Sequence, residues 1–140
     1  MSFKYWINCN FHIRNLSEGM KIRIKGNTIR FRLTKTEVDT LCKEGYLEEI
    51  TDFGEHTFCY AVQRKAIPTM EATFSENRLT LAISEGKIAN WDTNQLVGFE
   101  HVMHIDDNRI LQLLLEKDFV CLDERLEDQS DNYPNPKALL

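Results

Sequence analysis

The chain has 140 residues, a formal net charge of −5, 42% hydrophobic and 28% charged residues, which suits one domain that buries a core without disulfide staples. The negative balance argues against general nucleic-acid affinity. No apolar run approaches the roughly 18 residues that cross a bilayer, and Trp6, Asn8, Asn10, His12 and Arg14 interrupt the stretch where a signal peptide would be uniformly apolar, so a cytoplasmic protein without membrane association is expected.

Residues 1–19 lack a period and read as a peripheral N-terminal extension. From Lys21 the pattern sharpens. Lys21-Ile22-Arg23-Ile24-Lys25 and Thr28-Ile29-Arg30-Phe31-Arg32-Leu33 alternate strictly, and Gly26-Asn27 suits a two-residue hairpin loop. That loop sets Ile24 opposite Ile29 and Ile22 opposite Phe31, with Arg23 facing Arg30 and Lys21 facing Arg32. One face is apolar and the other basic. Thr34 and Glu37 have the spacing of a capping box, Val38, Leu41 and Cys42 share one side of the helix that follows, over about Lys35 to Lys43, and Gly45 supplies its stop. A strand pair is then expected over Tyr46–Thr51 and His56–Gln63.

Pro68 separates this unit from a second one. Strands Glu71–Ser75 and Arg78–Ile83 turn at Glu76-Asn77. Ser84 is placed to cap a short helix carrying Ile88, Ala89 and Trp91, and strands Leu96–Ile105 and Arg109–Glu116 turn at Asp106-Asp107-Asn108. The segment Gly26–Val38 lies over Glu76–Ile88 without a gap, matching the turn Asn, three alternating apolar residues and the Thr or Ser before the helix. The fold class is therefore α+β and predominantly antiparallel: duplicated ββαββ units forming either a barrel-like or a two-sheet domain with two short helices. The expected core is Ile22, Ile24, Ile29, Phe31, Leu33, Val38, Leu41, Phe74, Leu79, Leu81, Ile83, Ile88, Trp91 and Phe99. An acidic, proline-containing tail closes the domain at about residue 136, before the short end 137–140.

The opening Met20-Lys21-Ile22-Arg23-Ile24-Lys25-Gly26-Asn27-Thr28-Ile29-Arg30, with Leu33-Thr34-Lys35-Thr36-Glu37-Val38, resembles the start of a small bacterial family catalogued only as a domain of unknown function. The closing Glu116-Lys117-Asp118-Phe119, Cys121-Leu122-Asp123 and Glu127-Asp128-Gln129-Ser130-Asp131, running into Tyr133-Pro134-Asn135-Pro136, resembles the family's end. The resemblance covers Met20 to about Pro136. It implies that the domain begins near Met20, and it brings no activity, cofactor or catalytic residue.

Two residue sets are candidates for a site. Lys21, Arg23, Lys25, Arg30 and Arg32 form a basic tile in which like charges oppose one another, an arrangement that destabilises a sheet by a few tenths to about 1 kcal/mol per pair. Solvation of long charged stems, coverage by the chain's own acidic tail, and binding of a phosphate- or carboxylate-type anion each account for such a face. The second set is the tail string Cys121, Asp123, Glu127, Asp128 and Asp131. It has too little Cys and His for an ordinary zinc site and no turn glycine for a calcium loop, so a salt-bridged acidic segment is the default and a metal the alternative.

His101 and His104, three apart on a strand, point to opposite faces and cannot chelate together; His101 is expected buried and His104 exposed. Cys42 and Cys59 read as core fillers, and no CxxC pair occurs among Cys9, Cys42, Cys59 and Cys121, so free thiols are expected. The leading functional reading is a binding or protein-interaction module without a catalytic constellation. Its rival is a small enzyme or sensor that holds an anionic small molecule or metal between the basic hairpin and the C-terminal polar string.

Overall fold

Alternating side chains make each hairpin two-faced, and the apolar faces must then find one another. In the computed structural model, which describes residues 19–119, they do so as two packed four-stranded sheets. Strand β1 (Lys21–Lys25) and β2 (Thr28–Leu33) lead into helix α1 (Lys35–Glu44), followed by β3 (Tyr46–Asp52) and β4 (Thr57–Lys65). The second unit is β5 (Glu71–Ser75), β6 (Arg78–Ser84), the one-turn helix α2 (Glu85–Ile88), β7 (Gly98–His104) and β8 (Ile110–Lys117).

Each unit splits its hairpins between the sheets. The first sheet runs β1-β2-β8-β7 and the second β3-β4-β6-β5, and neither closes into a barrel. Every hairpin is antiparallel, but the central pairs β2–β8 and β4–β6 are parallel, so both sheets are mixed. The two sheets agree residue for residue. Thr28 pairs with Gln112 as Arg78 pairs with Cys59; Lys21 pairs with Arg32 as Glu71 pairs with Ala82; Gly98 pairs with Glu116 as Tyr46 pairs with Gln63. Met20 and Met70, at matching positions before β1 and β5, are both buried. The helices differ more. Helix α1 packs on β2, β3 and β4, whereas α2 rests on β6 and β4.

Local chemistry explains the element ends. The Glu37 N–H donates to Thr34 Oγ1 (3.3 Å) while Glu37 Oε1 accepts from the Thr34 N–H (2.9 Å), a complete capping box. Gly45 adopts φ +82°, which a side chain would strain, and its N–H satisfies the Leu41 carbonyl. Arg64 donates to the Cys42 carbonyl at 2.6 Å, setting a cation at the negative end of the helix. Ser84 precedes α2 but makes no side-chain cap bond; a four-residue helix gains little from one.

One cluster forms the core, from Ile29, Phe31, Leu33, Leu113 and Leu115 of the first sheet, Val62, Leu79, Leu81 and Ile83 of the second, and Val38, Leu41, Ile88 and Trp91. Ile22 and Phe99 are half-buried against it, Phe99 with its ring 5.1 Å from that of Trp91. Ile24 and Phe74 are not core residues: they are 57% and 65% exposed. They occupy matching places on β1 and β5, the outermost strands, at the ends next to the turns, where the opposite sheet no longer covers them. His101 is half-buried rather than buried, because β7 is also an edge strand; His104 is exposed. Cys59 is a buried free thiol. Cys42 is a partly buried one, and its Sγ–H donates to the Ile88 carbonyl. Among the described residues no helix is long and apolar enough to cross a membrane.

Candidate anion-binding face

Period-two alternation sends Ile22 and Ile24 of β1 and Ile29, Phe31 and Leu33 of β2 to the core side, and the five cations to the outer side. Strand register then orders that outer face in rows. Arg23 and Arg30 are followed across the sheet by Leu114 and Glu100, Lys25 and Thr28 by Gln112 and Val102, and Lys21 and Arg32 by Glu116 and Gly98. The hairpin tip is pinned to β8: Asn27 Nδ2 donates to the Ile110 carbonyl (2.8 Å), the Gln112 N–H to the Asn27 carbonyl (2.9 Å), and Thr28 Oγ1 to Gln112 Oε1 (3.3 Å).

Acids answer only part of the positive charge. Glu116 Oε1 lies 3.4 Å from Arg30 Nε and 3.6 Å from Arg32 Nε, and Asp118 Oδ2 lies 3.0 Å from Lys21 Nζ. The Asp118 N–H also donates to the Leu33 carbonyl, so the chain leaves β8 alongside the Lys21 end of the hairpin. Among the described residues no acid pairs with Arg23 or Lys25. These two, with Thr28 and Arg30, line a recess of about 260 Å³. Coverage by the chain's own acids is therefore seen at Lys21, Arg30 and Arg32. Cys121, Asp123, Glu127, Asp128 and Asp131 lie outside the described residues, as does a fold-back of the tail beyond Phe119.

The second sheet carries no such tile. At the positions matching Arg23, Lys25, Thr28 and Arg30 it has Thr73, Ser75, Arg78 and Thr80. Its one cation there, Arg78, is paired: Nη1 donates to Glu48 Oε1 at 3.0 Å and also contacts the Tyr46 hydroxyl, which itself donates to Glu48 at 2.7 Å. Burial and then the Glu48 carboxylate push the Tyr46 phenol up to about 12, and the same causes raise the Cys59 thiol. Both groups stay protonated near neutrality. Burial also raises the Cys42 thiol, which leaves neither described thiol activated.

A second recess, of about 320 Å³, lies where β2 ends and α1 begins, lined by Leu33, Lys35, Val38, Asp92, Lys117, Asp118 and Phe119. Lys117 Nζ donates to the Asn94 carbonyl at 2.8 Å and stands 5.6 Å from the Trp91 ring centre. Among the described residues no three His, Cys, Asp or Glu side chains gather to hold a metal.

Sequence reading located the tile but missed Thr28, Gln112 and Glu116 as parts of its surroundings. Thr28 falls on the outer side by the same alternation that found the cations. Glu116 and Gln112 carry no local signal, because they reach the hairpin only through the parallel β2–β8 pairing.

A search of curated proteins found no match to this chain, and a search of solved structures found none. The opening and closing strings quoted above fall within one matched stretch, residues 20–137. On that match, spanning most of its length, the chain belongs to DUF7009, a family of unknown function.

Proposed function

We propose that the domain is a binding module that recognises an anionic partner on the outer face of the β1-β2-β8-β7 sheet, at Arg23, Lys25, Thr28 and Arg30. The observation that carries this reading is the contrast between the two sheets. They share strand order and register, so whatever the architecture requires of an outer face is required of both. One sheet meets that requirement with Thr73, Ser75 and Thr80 and a fully paired Arg78. The other holds Arg23 directly opposite Arg30 without a described acid for Arg23. Where the first sheet has the long charged stems of Arg23, Lys25 and Arg30, the second has Thr73, Ser75 and Thr80, so shielding stems are not something this architecture requires at those positions. A face that keeps mutually repelling cations gains stability from an anion, since a ligand that binds only the folded state raises its stability.

The test is calorimetric titration of the full chain with polyphosphate and with polyglutamate at low salt. A variant carrying the second sheet's residues, Arg23→Thr with Lys25→Ser, serves as the comparison. Binding that the double substitution abolishes is the expected result. Binding of neither polymer, or equal binding by the variant, would refute the assignment of this face.

A further inference from the structure

The geometry points to a phosphate monoester group, bound as its dianion, as the ligand of the Arg23–Lys25–Thr28–Arg30 recess, an inference that rests on the anionic-partner reading above. Charge supports it first. Of the five cations on the hairpin's outer face, Lys21 is answered by Asp118, and Arg30 and Arg32 share the single carboxylate of Glu116. A carboxylate or a phosphate diester brings one negative charge and would leave most of the remaining repulsion in place. A phosphate monoester, with its second pKa near about 6, brings close to two at neutral pH.

Donor chemistry supports it next. Three of the four lining side chains can only donate hydrogen bonds, and the fourth is a hydroxyl. Arg23 and Arg30 stand directly across the strand pair from each other, so two guanidinium forks flank one recess with the Lys25 ammonium beside them. Forks of that kind match the oxygens of a phosphoryl group two at a time. Thr28 donates to Gln112, so the donors the recess offers the dianion are those of Arg23, Lys25 and Arg30.

Size and surroundings narrow the class further. A recess of about 260 Å³ lies below the roughly 300–1,000 Å³ of pockets that enclose a drug-sized molecule, so it takes a charged head group while the rest of the ligand lies outside. Leu114 and the 39% exposed Val102 follow in the same rows of the sheet and offer apolar surface for that remainder. No Phe, Tyr or Trp stands on the outer face of β1, β2, β7 or β8. The sheet therefore lacks the Phe, Tyr or Trp platforms with which sheet proteins stack single-stranded nucleic acid, the exposed His104 being the imidazole on that face.

Methyl phosphate, dimethyl phosphate and acetate, titrated into the full chain near pH about 7.5 and followed by NMR at the Arg23 and Arg30 Nε–H groups, test the inference. Methyl phosphate is expected to bind at least about ten-fold more tightly than the other two, and Arg23→Lys, which keeps the charge but loses the fork, to remove about that factor. Equal affinities for the three probes would overturn the monoester assignment while leaving an anion site in place. An Arg23→Lys variant that binds methyl phosphate as well as the parent would overturn it too. If neither the probes nor the polyanions of the preceding test bind, the anionic-partner reading itself falls.

Discussion

Replacing Arg23 by Thr, the residue at the matching position of the second sheet, should stabilise the domain. Arg23 opposes Arg30 in the β1–β2 register, and no described acid pairs with it, so the substitution removes a repulsion without breaking an ion pair. For unit charges at the ~5 Å spacing of directly opposed side chains, the repulsion in water is about 0.8 kcal/mol before screening. With a Debye length of about 30 Å at 0.01 M salt it is about 0.7 kcal/mol, and with about 3 Å at 1 M it falls to about 0.2 kcal/mol. Thr is itself a good strand residue, so no propensity is lost. For a domain of this size the low-salt gain corresponds to a rise in Tm of about 3–5 °C. Thermal and urea unfolding at both salt concentrations provide the assay. A variant less stable than the parent, or a gain as large in molar salt as in dilute buffer, would refute the reasoning. Arg23 would then be part of what holds the sheet together rather than a group kept in spite of its cost.

Two further outcomes follow from other parts of the fold. A Cβ at Gly98 would lie 2.3 Å from the Leu115 carbonyl oxygen and 2.9 Å from Glu116 Cα, so Gly98→Ala must shift backbone and should cost about 1–3 kcal/mol; a urea midpoint unchanged from the parent would contradict that contact. Asp106 accepts from the Asn108 and Arg109 N–H groups and from Arg109 Nε, and these bonds, the Asn108 one foremost, hold its carboxyl below the usual range. A depressed folded-state pKa contributes stability that is present above the unfolded value of about 4 and is lost as the pH falls through the folded value. Asp106→Asn should therefore flatten the acid limb of a Tm-against-pH curve while leaving the slope near neutrality unchanged, and an identical acid limb in the variant would show that the turn does not contribute.

Where structure was local, it was legible in the residues. The Gly26-Asn27 loop set the pairing of Arg23 with Arg30 and of Ile22 with Phe31, and Gly26 takes the positive φ (54°) that such a loop uses. The Thr34–Glu37 box and Gly45 bounded α1 because each cap is completed within a few residues of itself. The turn at Glu76-Asn77 and its two strands likewise stand where alternation placed them. These features depend on φ, ψ and neighbours along the chain, and short-range chemistry specifies them.

The tertiary structure decided the rest. Alternation tells which face a side chain takes but not where its strand lies across the sheet, so Ile24 and Phe74 had the pattern of core residues and the exposure of edge ones. Nothing local announced that each unit would divide its hairpins between two sheets, or that β2 and β8, from opposite ends of the domain, would pair in parallel. That pairing brings Glu116 to Arg30 and Arg32, and the chain leaving it brings Asp118 to Lys21. Surface ion pairs are worth about 0–1 kcal/mol each, too little to impose a pattern on sequence. Which cations are answered by the described acids, and that Arg23 and Lys25 are not answered by these, followed only from the long-range strand order that burial of the two apolar faces imposed.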